Sequence, residues 1–170
     1  MNAEAQALDL LLSKDAIRQL LAGYSRGVDR GDKELLASVY WEDSTMVSGG
    51  MTTSGPEFAA TIVDFITADL DHCYHALSNE WIEVNGEHAI GEHYVIAYMT
   101  AGGQDITTGG RYLDSYERRG GIWKIKTRTF VADWTTSYPK SLELDAMYEP
   151  GRTRGGFGTG DPVYAHWARL

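Results

Sequence analysis

The sequence predicts an α+β domain in which three N-terminal helices pack on one curved antiparallel sheet. Three observations lead there. Apolar residues recur at helical spacing through about the first 70 residues. From residue 79 onward the pattern changes to that of strands. The turn pairs Asn85-Gly86 and Gly120-Gly121, with a Gly-rich loop at 102–105, cut that stretch into long consecutive segments.

The elements follow in order. Residues 14–29 form an amphipathic helix with Ile17, Leu20, Leu21, Tyr24 and Val28 on one face and Ser13 as its N-cap. Arg30-Gly31-Asp32 ends it, and Asp32 caps a second helix over 33–40 that turns Leu35, Leu36, Val39 and Tyr40 inward. Gly55-Pro56 opens a third, with Pro56 in the first turn and an apolar face of Phe58, Ile62, Phe65 and Ile66. Strands are expected over 79–84, 88–101, 106–119 and 122–134, and their short connections make a meander the simplest pairing. Residues 136–170 change character again. Pro139, Pro150, Pro162 and five glycines argue against regular structure, while Tyr148, Phe157, Tyr164 and Trp167 argue for a tail that docks on its own domain or on a neighbour. The expected division is a domain over 1–135 and an extended tail over 136–170.

Bulk properties remove several function classes. At 170 residues the chain fits one domain, and 43% hydrophobic residues can build one core with a pocket in it. A net charge of −9 opposes binding to nucleic acid and to anionic membranes. No apolar run reaches the length of a membrane span. Cys73 is the only cysteine, so no internal disulfide forms and a reducing cytoplasm fits. The N-terminus has no basic n-region or cleavage site, so no signal peptide is expected. The chain lacks a phosphate loop, a CxxC pair and an HExxH helix. His72 and His75, three apart on a strand, face opposite sides, so no metal site is expected.

Three stretches carry a family likeness: Tyr24-Ser-Arg-Gly-Val-Asp29-Arg-Gly-Asp32; His75-Ala-Leu-Ser-Asn79 followed by Trp81-Ile-Glu-Val84; and Gly109-Gly-Arg-Tyr-Leu-Asp-Ser-Tyr-Glu-Arg-Arg119 running through Trp123-Lys-Ile-Lys-Thr-Arg128 to Asp133-Trp134. Over roughly residues 10–135 the chain resembles the SnoaL-like group of the nuclear-transport-factor-2-like superfamily. That resemblance implies a cone-shaped α+β barrel. It also implies the chemistry of the cofactor-independent lyases in the group: scytalone dehydratase, bile-acid 7α-dehydratase and hexachlorocyclohexane dehydrochlorinase. In such enzymes an Asp at the position of Asp29 orients a His at the position of His75, which removes a proton, and an Arg matches Arg128. Where the dehydrochlorinases carry Lys, this chain has Tyr24, as the bile-acid dehydratases do. The resemblance further implies a homo-oligomer, with a trimer favoured over a dimer, and no cofactor.

The residues make that chemistry reasonable on their own terms. A neutral imidazole is a good base near neutrality, and a carboxylate on its other nitrogen fixes the tautomer and stabilises the imidazolium. The bland alternative has Asp29 ending its helix and His75 as a core histidine. Tyr24 is either core packing or a donor to a leaving hydroxyl or enolate oxygen. Arg128, on ideal alternation, shares a face with Lys124 and Lys126, so it reaches the pocket only if the strand bulges between Trp123 and Arg128. Asp114 pairs with an Arg such as Arg111 or Arg128 or lies at the open end, and Glu117-Arg118-Arg119 reads as a solvated strand end. The strand 88–101 offers two faces: Ile90, Tyr94, Ile96 and Tyr98, or His93, Val95, Ala97 and Met99. Tyr94, Tyr98 and His93 are therefore pocket candidates, with Trp41, Met46 and Phe65 as further wall residues. The expected partner is a small apolar, cyclic or aromatic substrate. The expected reaction eliminates water, halide or formaldehyde; the alternatives are isomerisation or cyclisation by the same base, or a non-catalytic binding or association module.

Overall fold

The computed structural model describes residues 2–140 and 153–170. Helix α1 runs Ala3–Arg30, eleven residues further toward the N-terminus than its apolar stripe predicts. Asn2 caps it by accepting the Ala5 N–H, and residues 3–13 are strong helix formers that need no buried face to propagate. Ser13 is thus not a cap; it lies buried inside the helix. Gly31 ends the helix with φ 65°, a left-handed conformation that glycine adopts without strain. Asp32 caps the short α2, Lys33–Ser38, by accepting the Leu35 N–H. Its close approach to α1 depends on Gly27, where a Cβ would sit 2.9 Å from Leu36. Helix α3, Gly55–Asp69, starts at Ser54 with Pro56 in its first turn.

The sheet has six strands: β1 Tyr40–Ser48, β2 Met51–Thr53, β3 His72–Asn85, β4 His88–Ala101, β5 Gln104–Arg119 and β6 Ile122–Pro139. Their order is β2-β1-β6-β5-β4-β3. The meander β3 to β6 is antiparallel, but β1 pairs with β6 in parallel, so the sheet is mixed rather than purely antiparallel. It curves around the helices as an open α+β cone. Residues of α1, α2 and α3 meet the inner faces of β3 to β6 in one core, centred on Ile17, Leu36, Tyr40, Val63, Tyr116 and Ile125.

The β1–β6 register shifts between Tyr40 and Thr45, and three further irregularities shape the meander. At Asn79 the β3–β4 register shifts and the residue takes φ 37°. Before it Cys73, His75 and Leu77 face the helices; after it Ile82 and Val84 do. The change of phase is why the alternation looks weak in sequence and why β3 begins at His72, seven residues before the expected start. A second shift lies between Ser115 and Tyr116, where β6 passes from Ile125 to Thr127 against consecutive β5 residues and Lys126 is the extra residue. A third lies between Gly109 and Gly110, opposite Trp134 and Ala132.

The C-terminal part runs differently from the expected tail. Strand β6 continues to Pro139, past the expected boundary at 135. Residues 153–170 hold a 3-10 turn, Gly158–Gly160, and helix α4, Pro162–Trp167. This segment lies on the α1–α2 corner. Tyr164 donates its hydroxyl to Asp32 at 2.8 Å, Asp161 pairs with Arg30 at 3.4 Å, and the Arg26 guanidinium sits 4.5 Å from the centre of the Trp167 ring. Tyr148, Pro150 and Gly151 lie outside the described residues. Among the described residues no helix is long and apolar enough to cross a membrane.

Candidate active site

Asp29 lies in the last turn of α1, where a carboxylate opposes the helix dipole. Its partners offset that cost. Oδ1 is 2.7 Å from Nδ1 of His75, and Oδ2 accepts the His75 backbone N–H at 3.0 Å. One carboxylate therefore grips both the ring and the main chain of the same residue. Both side chains are nearly enclosed, with His75 11% and Asp29 8% exposed. A carboxylate only accepts, so the proton of the neutral ring sits on Nδ1 and Nε2 keeps its lone pair.

His75 forms part of the wall of a cavity of about 250 Å³ at the interface of α1, α3 and the inner sheet face. The rest of the lining is mostly apolar and aromatic, including Tyr24, Met46, Phe58, Phe65, Tyr112 and Phe130, with the hydroxyls of Ser48 and Thr108 among it. Burial pushes the Tyr24 hydroxyl above its ordinary pKa and the Tyr112 and Tyr40 hydroxyls well above theirs. These phenols stay protonated and act as donors rather than bases. Cys73, two residues before His75 on the same strand face, places Sγ 3.7 Å from Nδ1. Burial, followed by the Asp29 charge, pushes its thiol up to about 12, so it carries no thiolate at neutral pH.

Arg128 stands behind this wall, fully buried. The bulge at Lys126 turns it inward. Its guanidinium donates to both oxygens of Asp114, at 2.8 and 2.7 Å, and lies 4.2 Å from the Tyr24 ring centre and 4.1 Å from that of Tyr112. Burial opposes its charge, but Asp114 outweighs that and holds the Arg128 pKa well above its usual value. Asp114 also accepts the Tyr116 hydroxyl at 2.7 Å. Having spent its only proton there, Tyr116 accepts from Nε2 of His93 at 2.9 Å, which leaves Nδ1 of His93 bare. Burial lowers the His93 pKa below 6.5 and keeps it neutral.

The chain is similar to known proteins along most of its length. The model of the SnoaL-like domain matches residues 9–129. The chain belongs to the SnoaL-like domain family. It is 30% identical over 134 residues to the gamma-hexachlorocyclohexane dehydrochlorinase of Sphingobium indicum, a match spanning 76% of this chain and 86% of that protein. The crystal structure of a type 2 hexachlorocyclohexane dehydrochlorinase superposes with a TM-score of 0.74 at 27% identity, covering 86% of this chain and 99% of that one. A type 3 relative from Novosphingobium barchaimii gives 0.71 at 30% identity, over 78% and 94%. A scytalone dehydratase-like structure from Novosphingobium aromaticivorans gives 0.69 at 23% identity over 85% and 97%, a likeness of fold. These relationships place the chain in the nuclear-transport-factor-2-like superfamily, and the relatives matched in sequence are dehydrochlorinases, which are lyases.

Of the candidate residues, Asp29, His75 and Tyr24 come together at the cavity, with Met46 and Phe65 in its wall and Arg128 behind Tyr24. The others lie elsewhere. Tyr94 and Tyr98 sit on the outer sheet face, 42% and 46% exposed, because the β4 residues that face the helices are Ala89, His93, Val95, Ala97 and Met99. His93 is on that inner face but inside the Tyr116–Asp114 network, away from the cavity lining. Trp41 donates to the Glu117 carbonyl at 3.0 Å and lies under Arg119 and Lys124. Nor is 117–119 merely solvated: Arg118 reaches Asp9, Glu87 and Ser13 and covers Trp123. Arg111 takes Glu92 and Asp133, leaving Asp114 to Arg128.

Cys73 and Tyr112 line the site without having been singled out for it. Period-two spacing from His75 and from Asp114 was the available signal. Asp29, Cys73 and His75 bring donor atoms within 4.8 Å of one another, a trio of metal-ligating types that the His72–His75 spacing did not suggest. In the structure these donors are engaged with each other.

Proposed function

We propose that this protein is a cofactor-independent lyase in which His75 is the base. The observation that carries the reading is the pair of hydrogen bonds that His75 donates to Asp29 at the wall of an apolar cavity. Nε2 of His75 removes a proton from a carbon beside the one bearing the leaving group. The C–H electron pair becomes the new double bond, and the leaving group departs with its own bonding pair. Asp29 stabilises the imidazolium that forms. A halide leaves as the anion; a hydroxyl leaves as water after taking a proton from Tyr24, which burial keeps protonated. Formaldehyde, the third candidate, leaves from a 1,3-diol by a different step. His75 removes the proton of the terminal CH2–OH, the O–H pair becomes the C=O bond, and the released C–C pair forms the new double bond as the other hydroxyl departs as water with a proton from Tyr24. Arg128 acts through Tyr24 and Tyr112, its positive charge lying against both rings and favouring negative charge on their hydroxyl groups. The apolar lining selects a small cyclic or aromatic substrate. The two protonated phenols also suit an enolate, which supports isomerisation by the same base as a second reading.

The test is a panel of γ-hexachlorocyclohexane, a cyclic β-hydroxyketone and an aryl 1,3-diol, with products followed by mass spectrometry. One class is converted without added cofactor, and His75→Ala slows that conversion by roughly 10²–10⁴-fold. Full turnover in His75→Ala refutes the reading, and binding without conversion of any class favours the non-catalytic module.

The proposal extends to assembly. Tyr74, Ile90, Tyr94, Tyr98 and Trp134 leave the outer sheet face apolar and exposed, which suits self-association, with a trimer expected from light scattering.

A further inference from the structure

The reaction cavity does not end at its own wall. A second cavity, of about 370 Å³, is lined by Met46, Ser48, Met51, Thr53, Phe58, Thr61, Ile62 and Phe65. Met46, Ser48, Phe58, Ile62 and Phe65 line both, so the two are adjoining lobes sharing one partition. Their chemistry differs. The inner lobe holds His75, Tyr24, Tyr112 and Cys73. The outer lobe has no ionisable side chain, and its threonine hydroxyls already donate, Thr53 to the Ser54 carbonyl at 3.2 Å and Thr61 to the Glu57 carbonyl at 3.0 Å. At its mouth Met51 and Phe65 are 61% and 51% exposed, apolar surface that gains from being covered.

Size then sets the ligand. A protein cavity of about 150 Å³ is enough to bind benzene. The inner lobe thus takes one ring with its substituents, and the outer lobe is large enough for a second. We infer that the substrate is an uncharged two-ring molecule, whose reacting portion lies at His75 and whose second, non-reacting ring fills the lobe between β2 and α3. This rests on the lyase reading only for which end reacts; the binding preference is independent of it. The outer lobe contributes affinity and selectivity, while every group able to move a proton belongs to the inner one.

The test is calorimetric, with phenol and 4-phenylphenol as probes of one and two rings. Wild type binds 4-phenylphenol at least ~30-fold more tightly than phenol, as burial of a second ring requires. Thr61→Trp, a change at an exposed α3 position that fills the outer lobe, removes that preference and leaves phenol affinity within about 3-fold. His75→Ala keeps the preference, so failure of the base and failure of the subsite are read separately. Equal affinity for both probes, no binding of either, or a preference that survives Thr61→Trp overturns the inference.

Discussion

Replacing Asp114 with Asn removes the carboxylate that pairs with the fully buried guanidinium of Arg128. Arg128 stays charged, since burial alone cannot strip its proton, and it is left among Tyr24, Tyr40, Tyr112 and Tyr116 with at most one carbonyl acceptor. Breaking such a pair from one side costs about 3–5 kcal/mol. Against a total stability of about 5–15 kcal/mol for an ordinary domain, that is a large share. At roughly 2–4 °C per kcal/mol for a chain of this size, Tm falls by about 6–20 °C. Urea unfolding followed by circular dichroism measures the loss, with an unchanged m-value marking the same folded state. Removing both charges, in Asp114→Leu with Arg128→Met, recovers most of it, because no unpaired ion remains. A single-variant cost below about 1 kcal/mol, or a double variant less stable than the single, would refute the reasoning.

Other outcomes follow from the same geometry. Iodoacetamide at pH 8 leaves Cys73 unmodified in the folded protein and labels it once urea unfolds the chain, because a thiol held up near 12 offers no thiolate; fast labelling of the native state contradicts this. His93 has its folded pKa lowered below 6.5, so between that lowered value and 6.5 the unfolded chain binds a proton that the folded chain does not. Stability therefore falls as pH drops below about 6.5, and His93→Gln flattens that part of the profile, as pH-dependent urea midpoints will show. Gly91→Ala puts a Cβ 2.5 Å from Nε2 of His93, so it breaks the His93–Tyr116 hydrogen bond and lowers Tm, whereas an unchanged Tm would mean that His93 is free to move.

Much of this architecture can be read from residues. The helical stripes, the cap at Asp32, Pro56 and the paired turn glycines carry local information, and each marks an element that forms, although α1 begins at Ala3 rather than 14 and α2 ends at Ser38, which leaves Tyr40, expected on that helix, as the first residue of β1. Asn79 and Lys126 explain where reading fails. Each adds one residue to a strand, and a one-residue slip exchanges the two faces. At Lys126 that slip turns Arg128 from the lysine face into the core, and at Asn79 it hides the strand that carries His75. The parallel β1–β6 pair is equally non-local, since nothing near Tyr40 announces a partner at Ile125. The assignment of Tyr94 and Tyr98 depended on which β4 face meets the helices, a property of packing that alternation alone leaves undecided.

The account turns on the tautomer of one ring. Long-range ¹⁵N–¹H correlation spectra of histidine-labelled protein at neutral pH read it directly. The account predicts that His75 is protonated on Nδ1 with a bare Nε2, and that Asp29→Asn disturbs this signal while leaving His93, protonated on Nε2, as it was. A His75 protonated on Nε2 in the native protein, or one indifferent to Asp29→Asn, would contradict it.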